Sequence, residues 1–235
     1  MTTTDQTKGS TTRRIQRYAV AAALAAFPAL LVVQAPIDPA SGGTGNVMYR
    51  AASEQAAALL LSAVLLMVSG MLMVPAVAGL LHLARGRGST LATLAAVLGV
   101  LGGFGHFAIG MFYLVALALP GGEPGQMAAY VDRLNVVPAL TAIAFPLIMC
   151  FGLGVIAMSW AAWRIGLCGW WGPLLVTAVV LTHQLLPFSS TVIEVGGLAA
   201  IAGVFGHLGI RIAWMDDTAW DRPATLATAS VRAIV

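Results

Sequence analysis

Six apolar stretches, each near the length of a bilayer crossing, constrain this chain more than any other feature. A helix needs about 20 mainly apolar residues to cross the hydrocarbon core of a membrane. Lipid offers no hydrogen bonds to the backbone, so such stretches form helices. The sequence therefore predicts an all-α, polytopic membrane bundle of six transmembrane helices, at 16–37, 57–83, 91–119, 136–163, 170–187 and 190–213.

The composition argues against a soluble domain. Hydrophobic residues make up 59% of the 235 residues and charged residues 9%, whereas soluble domains carry about 25% charged residues. The net charge of +3 could suit nucleic acid, but the basic residues are spread over the ends of the apolar stretches rather than gathered in one patch. We therefore predict the lipid bilayer, and no nucleic acid, as the partner.

The basic residues also predict the topology. With six crossings, ten of the twelve Lys and Arg residues fall on one side, leaving Arg50 and Arg133 on the other. Because basic residues concentrate on the cytoplasmic side, we predict a cell-membrane protein with both termini in the cytoplasm. The tryptophans gather near that same side: Trp160, Trp163, Trp170, Trp171, Trp214 and Trp220.

Three regions follow from this topology. Residues 1–14 are predicted to be a disordered cytoplasmic leader, 15–213 the transmembrane domain, and 214–235 a cytoplasmic tail. Short interfacial helices are expected around 49–54 and 127–132. An alternative for the first stretch is a cleaved secretory signal, because Arg13 and Arg14 precede an apolar run.

A 101-residue shift reveals internal similarity. It places Gly102, Gly103, Phe104, Gly105 and His106 on Gly203, Val204, Phe205, Gly206 and His207, and it places His82 on His183. This predicts two repeat halves, at about 15–119 and 136–213. Each half holds three helices, an odd number, so the second half would be inverted in the membrane. Chance similarity between Ala- and Gly-rich helices is the alternative.

The four histidines lie in or at the ends of predicted membrane helices: His82, His106, His183 and His207. Helix geometry puts His106 and His183 nearer the outer side, and His82 and His207 nearer the cytoplasm. Two such pairs could ligate two b-type haems, each iron taking one imidazole from either face. In helix count and histidine placement only, this resembles di-haem cytochromes b. Simple hydrogen bonding between helices is the alternative role for each imidazole.

Glu194 supports a second interpretation. It is predicted to lie one turn into the last helix, at a depth similar to those of His106 and His183. Two imidazoles and a carboxylate suit a divalent metal such as zinc, and they could equally form a proton relay. A hydrated carboxylate near the headgroups is the alternative without function.

Three functions follow from these residues. The favoured hypothesis is a membrane electron-transfer protein that binds two haem b groups through the four histidines. The second is a small proton- or metal-coupled transporter or channel with its site at Glu194 and the outer histidines. The third is a non-catalytic accessory subunit that packs against a membrane partner or a second copy. The sequence contains neither a phosphate-binding loop nor a nucleophile elbow. Enzymatic activity of another kind is left open.

Overall fold

A computed structural model describes residues 3–41, 43–84, 88–185 and 191–221, with side chains described over 11–41, 43–84, 88–183 and 191–221. Within these ranges the chain is helical, with turns and two short 3-10 segments and no strand, so the all-α prediction is confirmed. The helices are α1 (Thr3–Gln34), α2 (Gly45–Glu54), α3 (Ala56–Leu83), α4 (Ser89–Ala116), α5 (Pro124–Asn135), α6 (Pro138–Arg164), α7 (Trp171–Leu185), α8 (Thr191–Ala213) and α9 (Asp217–Asp221).

Five helices are long and apolar enough to cross a membrane, namely α1, α3, α4, α6 and α8. They contain 23 to 32 residues each. Helix α7 is apolar but has only 15 residues, which gives it a length of about 22 Å. The described helices therefore support a multi-pass membrane protein with five helices able to span a bilayer, and the count of six crossings stays a prediction. The boundary expected at 187–190 lies outside the described residues.

The six apolar helices form a ring in chain order. Each packs beside the next one, and α8 closes the ring by packing on α1. Glycines bring neighbouring backbones together: a Cβ added to Gly103 on α4 would lie 2.6 Å from the carbonyl oxygen of Gly70 on α3. Small residues that allow such close approach are typical of helix packing in membranes.

One end of the ring, here called the cap end, is covered by α2 and α5. Met48 and Val131 are almost fully buried beneath these helices. The amide of Gly45 donates a hydrogen bond to Oδ1 of Asp132 at 2.7 Å. The two short helices expected in these loops are therefore present, and both are longer than predicted.

The opposite end, here called the ion-pair end, joins the two chain termini. Arg17 Nη1 lies 2.7 Å from Oδ1 of Asp217, Arg14 also contacts Asp217, and Arg13 pairs with Asp221. Helix α1 begins at Thr3, within the predicted leader, and helix α9 lies in the first part of the predicted tail. Arginine and aspartate from opposite termini hold each other here. Residues 1–2 and 222–235, also assigned to leader and tail, lie outside the described residues.

Residues matched by the 101-residue shift lie in unlike surroundings. A Cβ on Gly102 would collide with the backbone of Phe151, whereas a Cβ on Gly203 would have no atom within 4 Å. A second internal match, of Ala26-Phe27-Pro28 with Ala144-Phe145-Pro146, occurs at a different offset. Its members also differ in their surroundings, since Phe27 is fully buried and Phe145 is 59% exposed. The inverted repeat stays a prediction, and the two halves do not offer equivalent sites.

Candidate functional site

A cavity of about 300 Å³ lies among α1, α4, α6, α7 and α8. Its position follows from the helix directions, since the contributing parts of α1, α7 and α8 all lie towards the cap end. The polar side chains of the wall are His106, Thr182, His183 and Glu194. The rest of the wall is apolar: Phe27, Pro28, Leu31, Ile148, Phe151, Gly152, Val155, Ala178, Val179, Val180, Ile193, Leu198 and Ile201.

Aromatic rings form one side of this cavity. Phe27 is fully buried, and its ring packs edge-on against Phe205 at 5.0 Å and against Phe151 at 6.4 Å between centroids. Pro28 follows within α1 and removes one backbone amide donor from the helix. Close helix packing fixes Phe151, because its backbone lies directly against Gly102 of α4. The aromatic side is therefore rigidly held.

His106 is held against the same aromatic side. Its ring stacks on Phe151 with centroids 3.7 Å apart and an interplanar angle of 13°. Its Nδ1 atom is buried and has no hydrogen-bond partner in the described part of the chain. Buried polar atoms in proteins are nearly always paired. His106 is therefore a wall residue with an unused hydrogen-bonding atom.

Glu194 and His183 contribute to the same cavity from α8 and α7. Glu194 is partly buried in the first turn of α8, where the helix dipole favours a negative charge. None of the described residues forms an ion pair or hydrogen bond with it. His183 reaches the cavity from the last turns of α7. The structure thus brings His106, His183 and Glu194 to one cavity.

Comparison of the chain with family models, with curated proteins and with solved structures gave no match. The function is therefore inferred from the geometry of the cavity.

The other two histidines have separate surroundings. His82 Nε2 lies 3.0 Å from the carbonyl oxygen of Trp220, and the two rings are 4.7 Å apart. His207 is exposed on α8, with its ring 6.3 Å from that of Trp171. His82 therefore contacts the docked helix α9 and is not paired with His207. The two-haem hypothesis also offers Arg85, Arg87 and Arg211 as partners for the propionates of an inner haem; Arg85 and Arg87 lie outside the described residues, and Arg211 is exposed.

The metal alternative can be compared with the same geometry. Across residues 3–41, 43–84, 88–185 and 191–221, no three His, Cys, Asp or Glu side chains come close enough to hold a metal ion. His106, His183 and Glu194 line one cavity but do not converge on a point. This arrangement leaves room for a molecule between them.

Several wall residues were not singled out from the sequence. Phe151 and Thr182 carry no motif, and only the packing of α4, α6 and α7 brings them to the cavity. Phe27 had a weak signal, because it belongs to the Ala26-Phe27-Pro28 motif that recurs at 144–146. An apolar residue on an apolar helix gives no sequence sign of whether it faces lipid, a neighbouring helix or a cavity.

Proposed function

We propose that this integral membrane protein is a proton-coupled transporter that binds a small solute in the cavity among α1, α4, α6, α7 and α8. One observation carries the proposal: Glu194, His106 and His183 line the same otherwise apolar cavity. Ionisable residues in membrane segments are costly and usually mark a pathway or a binding site. The proposal follows the second sequence hypothesis rather than the haem hypothesis.

Glu194 is assigned the central role in this proposal. A carboxylate in an apolar cavity is stable when it carries a proton or faces a positive charge. If Glu194 carries a proton in one state of the site and faces a bound solute in the other, the protein exchanges protons for solute. Thr182 and the imidazoles of His106 and His183 would then orient the solute by hydrogen bonding, as the few polar groups of a ligand cavity do.

Two observations favour the transporter over the two-haem hypothesis. The first is that His82 hydrogen-bonds the backbone at Trp220 while His207 lies on an exposed face. The second concerns Gly102 and Gly105, which precede His106 on α4 and whose missing side chains could let a porphyrin lie close to the helix. Both positions are filled by α6, because Gly102 packs against Phe151 and Gly105 against Leu147. An absorption spectrum of protein expressed with adequate haem tests the two-haem prediction directly, since a Soret band would support it.

The transport proposal is tested in proteoliposomes that contain a trapped pH indicator. Three solutes of similar size and different charge are added outside: benzyltrimethylammonium, neopentylbenzene and 4-tert-butylbenzoate. We expect at least one to move protons across the membrane through the native protein and not through Glu194→Gln. Glu54→Gln is the matched control, because Glu54 is an exposed glutamate on α2 outside the cavity.

Two results would overturn this function. One is proton movement that is equal in Glu194→Gln and native proteoliposomes. The other is no proton movement with any of the three solutes, although the native protein is monodisperse and correctly reconstituted.

A further inference from the structure

The charge balance of the cavity wall indicates which class of solute fits it. Among the residues that the structure describes, Glu194 is the only one of the wall that can carry a negative charge, and none of the arginines or lysines lines the cavity. Apart from Thr182 and the two histidines, the remaining wall is apolar. A bound molecule must therefore present a mainly apolar body and compensate one carboxylate.

The aromatic side of the cavity adds a second preference. Phe27 and Phe151 both line the wall, and the faces of aromatic rings attract cations. The ring of Phe151 already stacks on His106, so Phe27 and the free face of Phe151 would offer the contact. A carboxylate and phenyl rings in the wall of one cavity complement a small aromatic or branched cation.

The volume also limits the solute. Ligand cavities of proteins span about 300–1,000 Å³, and this one lies at the lower end, at about 300 Å³. A compact amine or ammonium ion fits this limit, whereas a molecule with a long chain would extend out between the helices.

We infer that the cavity takes a small amphiphilic organic cation, which displaces a proton from Glu194 when it binds. This inference rests on the proposed function and names the substrate class of the same site. The balance of the step is simple: the carboxylic acid releases one proton to water, and the carboxylate then pairs with the bound cation. No bond other than the O–H bond breaks.

The other titratable groups of the wall would change the affinity for a cation with pH in the same direction as Glu194. His106 from α4 and His183 from α7 face the cavity with Glu194 from α8, while the described side chains of α1 and α6 add no titratable group to the wall. Protonating an imidazole would repel a cation, as protonating Glu194 would remove its partner. Affinity for a cation should therefore fall as the pH is lowered.

The test compares two molecules of nearly identical shape, benzyltrimethylammonium and its uncharged counterpart neopentylbenzene. Binding to the full-length protein in detergent is measured by calorimetry, and proton release by a pH indicator in weak buffer. We expect the cation to bind at least about tenfold more tightly than the neutral molecule and to release up to one proton per cation bound. Its affinity should weaken at lower pH, by at most about tenfold per pH unit for one linked proton.

Variants assign the effect to residues. Glu194→Gln should lose the tenfold preference and the proton that Glu194 releases. Any pH dependence that remains, with its equal share of proton release, measures the histidines. Glu54→Gln should match the native protein. Because Glu194→Gln could disturb folding, Phe151→Leu provides a second measurement, with a smaller loss of cation affinity and intact proton release.

The outcomes separate the two proposals. Equal binding of the charged and neutral molecules, or cation binding that survives Glu194→Gln, overturns the cation inference. If 4-tert-butylbenzoate or neopentylbenzene drives Glu194-dependent proton movement while the cation does not bind, the transporter function stands and the substrate class is wrong. Glu194-dependent cation binding without proton movement in proteoliposomes supports the cation site and overturns the transport function.

Discussion

Gly102 offers a sharp test of the packing that forms the cavity wall. A methyl group at Gly102 would collide with the backbone of Phe151 and lie 2.8 Å from the Phe151 Cβ atom. Ordinary contact begins near 3.4 Å, so α4 and α6 must separate by at least 0.6 Å, the difference between these two distances. The backbone of Phe151 cannot rotate away as a side chain could. We therefore expect Gly102→Ala to destabilise the bundle.

The size of the effect follows from two opposing contributions. Forcing an extra methyl into a packed core costs about 1–3 kcal/mol, and a backbone collision places this case near the upper end. Replacing glycine by alanine inside a helix returns about 1 kcal/mol. The net loss is therefore about 1–2 kcal/mol, which corresponds to a fall in Tm of about 2–8 °C for a chain of this size.

Gly203 provides the matched control, because it is the counterpart of Gly102 under the 101-residue shift and has open space around it. Gly203→Ala should leave Tm unchanged or raise it slightly. Tm is measured for both variants in the same detergent by size-exclusion chromatography after heating. If Gly102→Ala proves as stable as Gly203→Ala, the α4 and α6 backbones are not in contact and the described cavity wall is wrong.

Three further predictions concern the rest of the molecule. Asp217→Asn leaves the buried Arg17 without its charged partner and should lower the free energy of unfolding by roughly 1–3 kcal/mol, less than for a fully buried pair because Asp217 is 31% exposed. Asp221→Asn breaks a more exposed pair and should cost under about 1 kcal/mol. Equal losses of stability in thermal unfolding would contradict this ranking. Burial raises the pKa of the Cys168 thiol, so in a Cys150→Ala background iodoacetamide should label Cys168 at higher pH than it labels the same thiol in denatured protein. Backbone amides of Gly125 and Gln126 lower the pKa of Glu123; its contribution to stability is therefore present above the pKa of the unfolded state and lost as the pH falls through the folded value. The difference in Tm between the native protein and Glu123→Gln should accordingly shrink as the pH is lowered from 7 to 3. A difference independent of pH would argue against the hydrogen bonds from Gly125 and Gln126 to Glu123.

The short amphipathic helices and the chain termini show how far sequence reasoning reached. Helices α2 and α5 were expected as short interfacial helices near 49–54 and 127–132. The helical leader and the docked α9 were missed, because their main contacts join Arg17 to Asp217 across 200 residues. Neither segment has an apolar pattern that would reveal this pairing in the sequence.

The histidines show the same limit at the candidate site. Helical rise placed His106, His183 and Glu194 at similar depth, and the structure brings all three to one cavity. Depth alone also paired His82 with His207, but depth does not tell which way a side chain points around its helix. His82 faces Trp220 and His207 lies on the exposed face of α8.

The sequence by itself determined that this is an all-α membrane protein, because a bilayer forces every long apolar stretch to satisfy its own backbone hydrogen bonds as a helix. Which faces of those helices meet was decided only by the tertiary structure. In uniformly apolar helices, residues that face lipid and residues that face neighbouring helices have the same polarity. The rotation of each helix about its axis is therefore set by how closely its surface packs on its neighbours. Gly102, for example, contacts Phe151, whereas Gly203 has open space beside it.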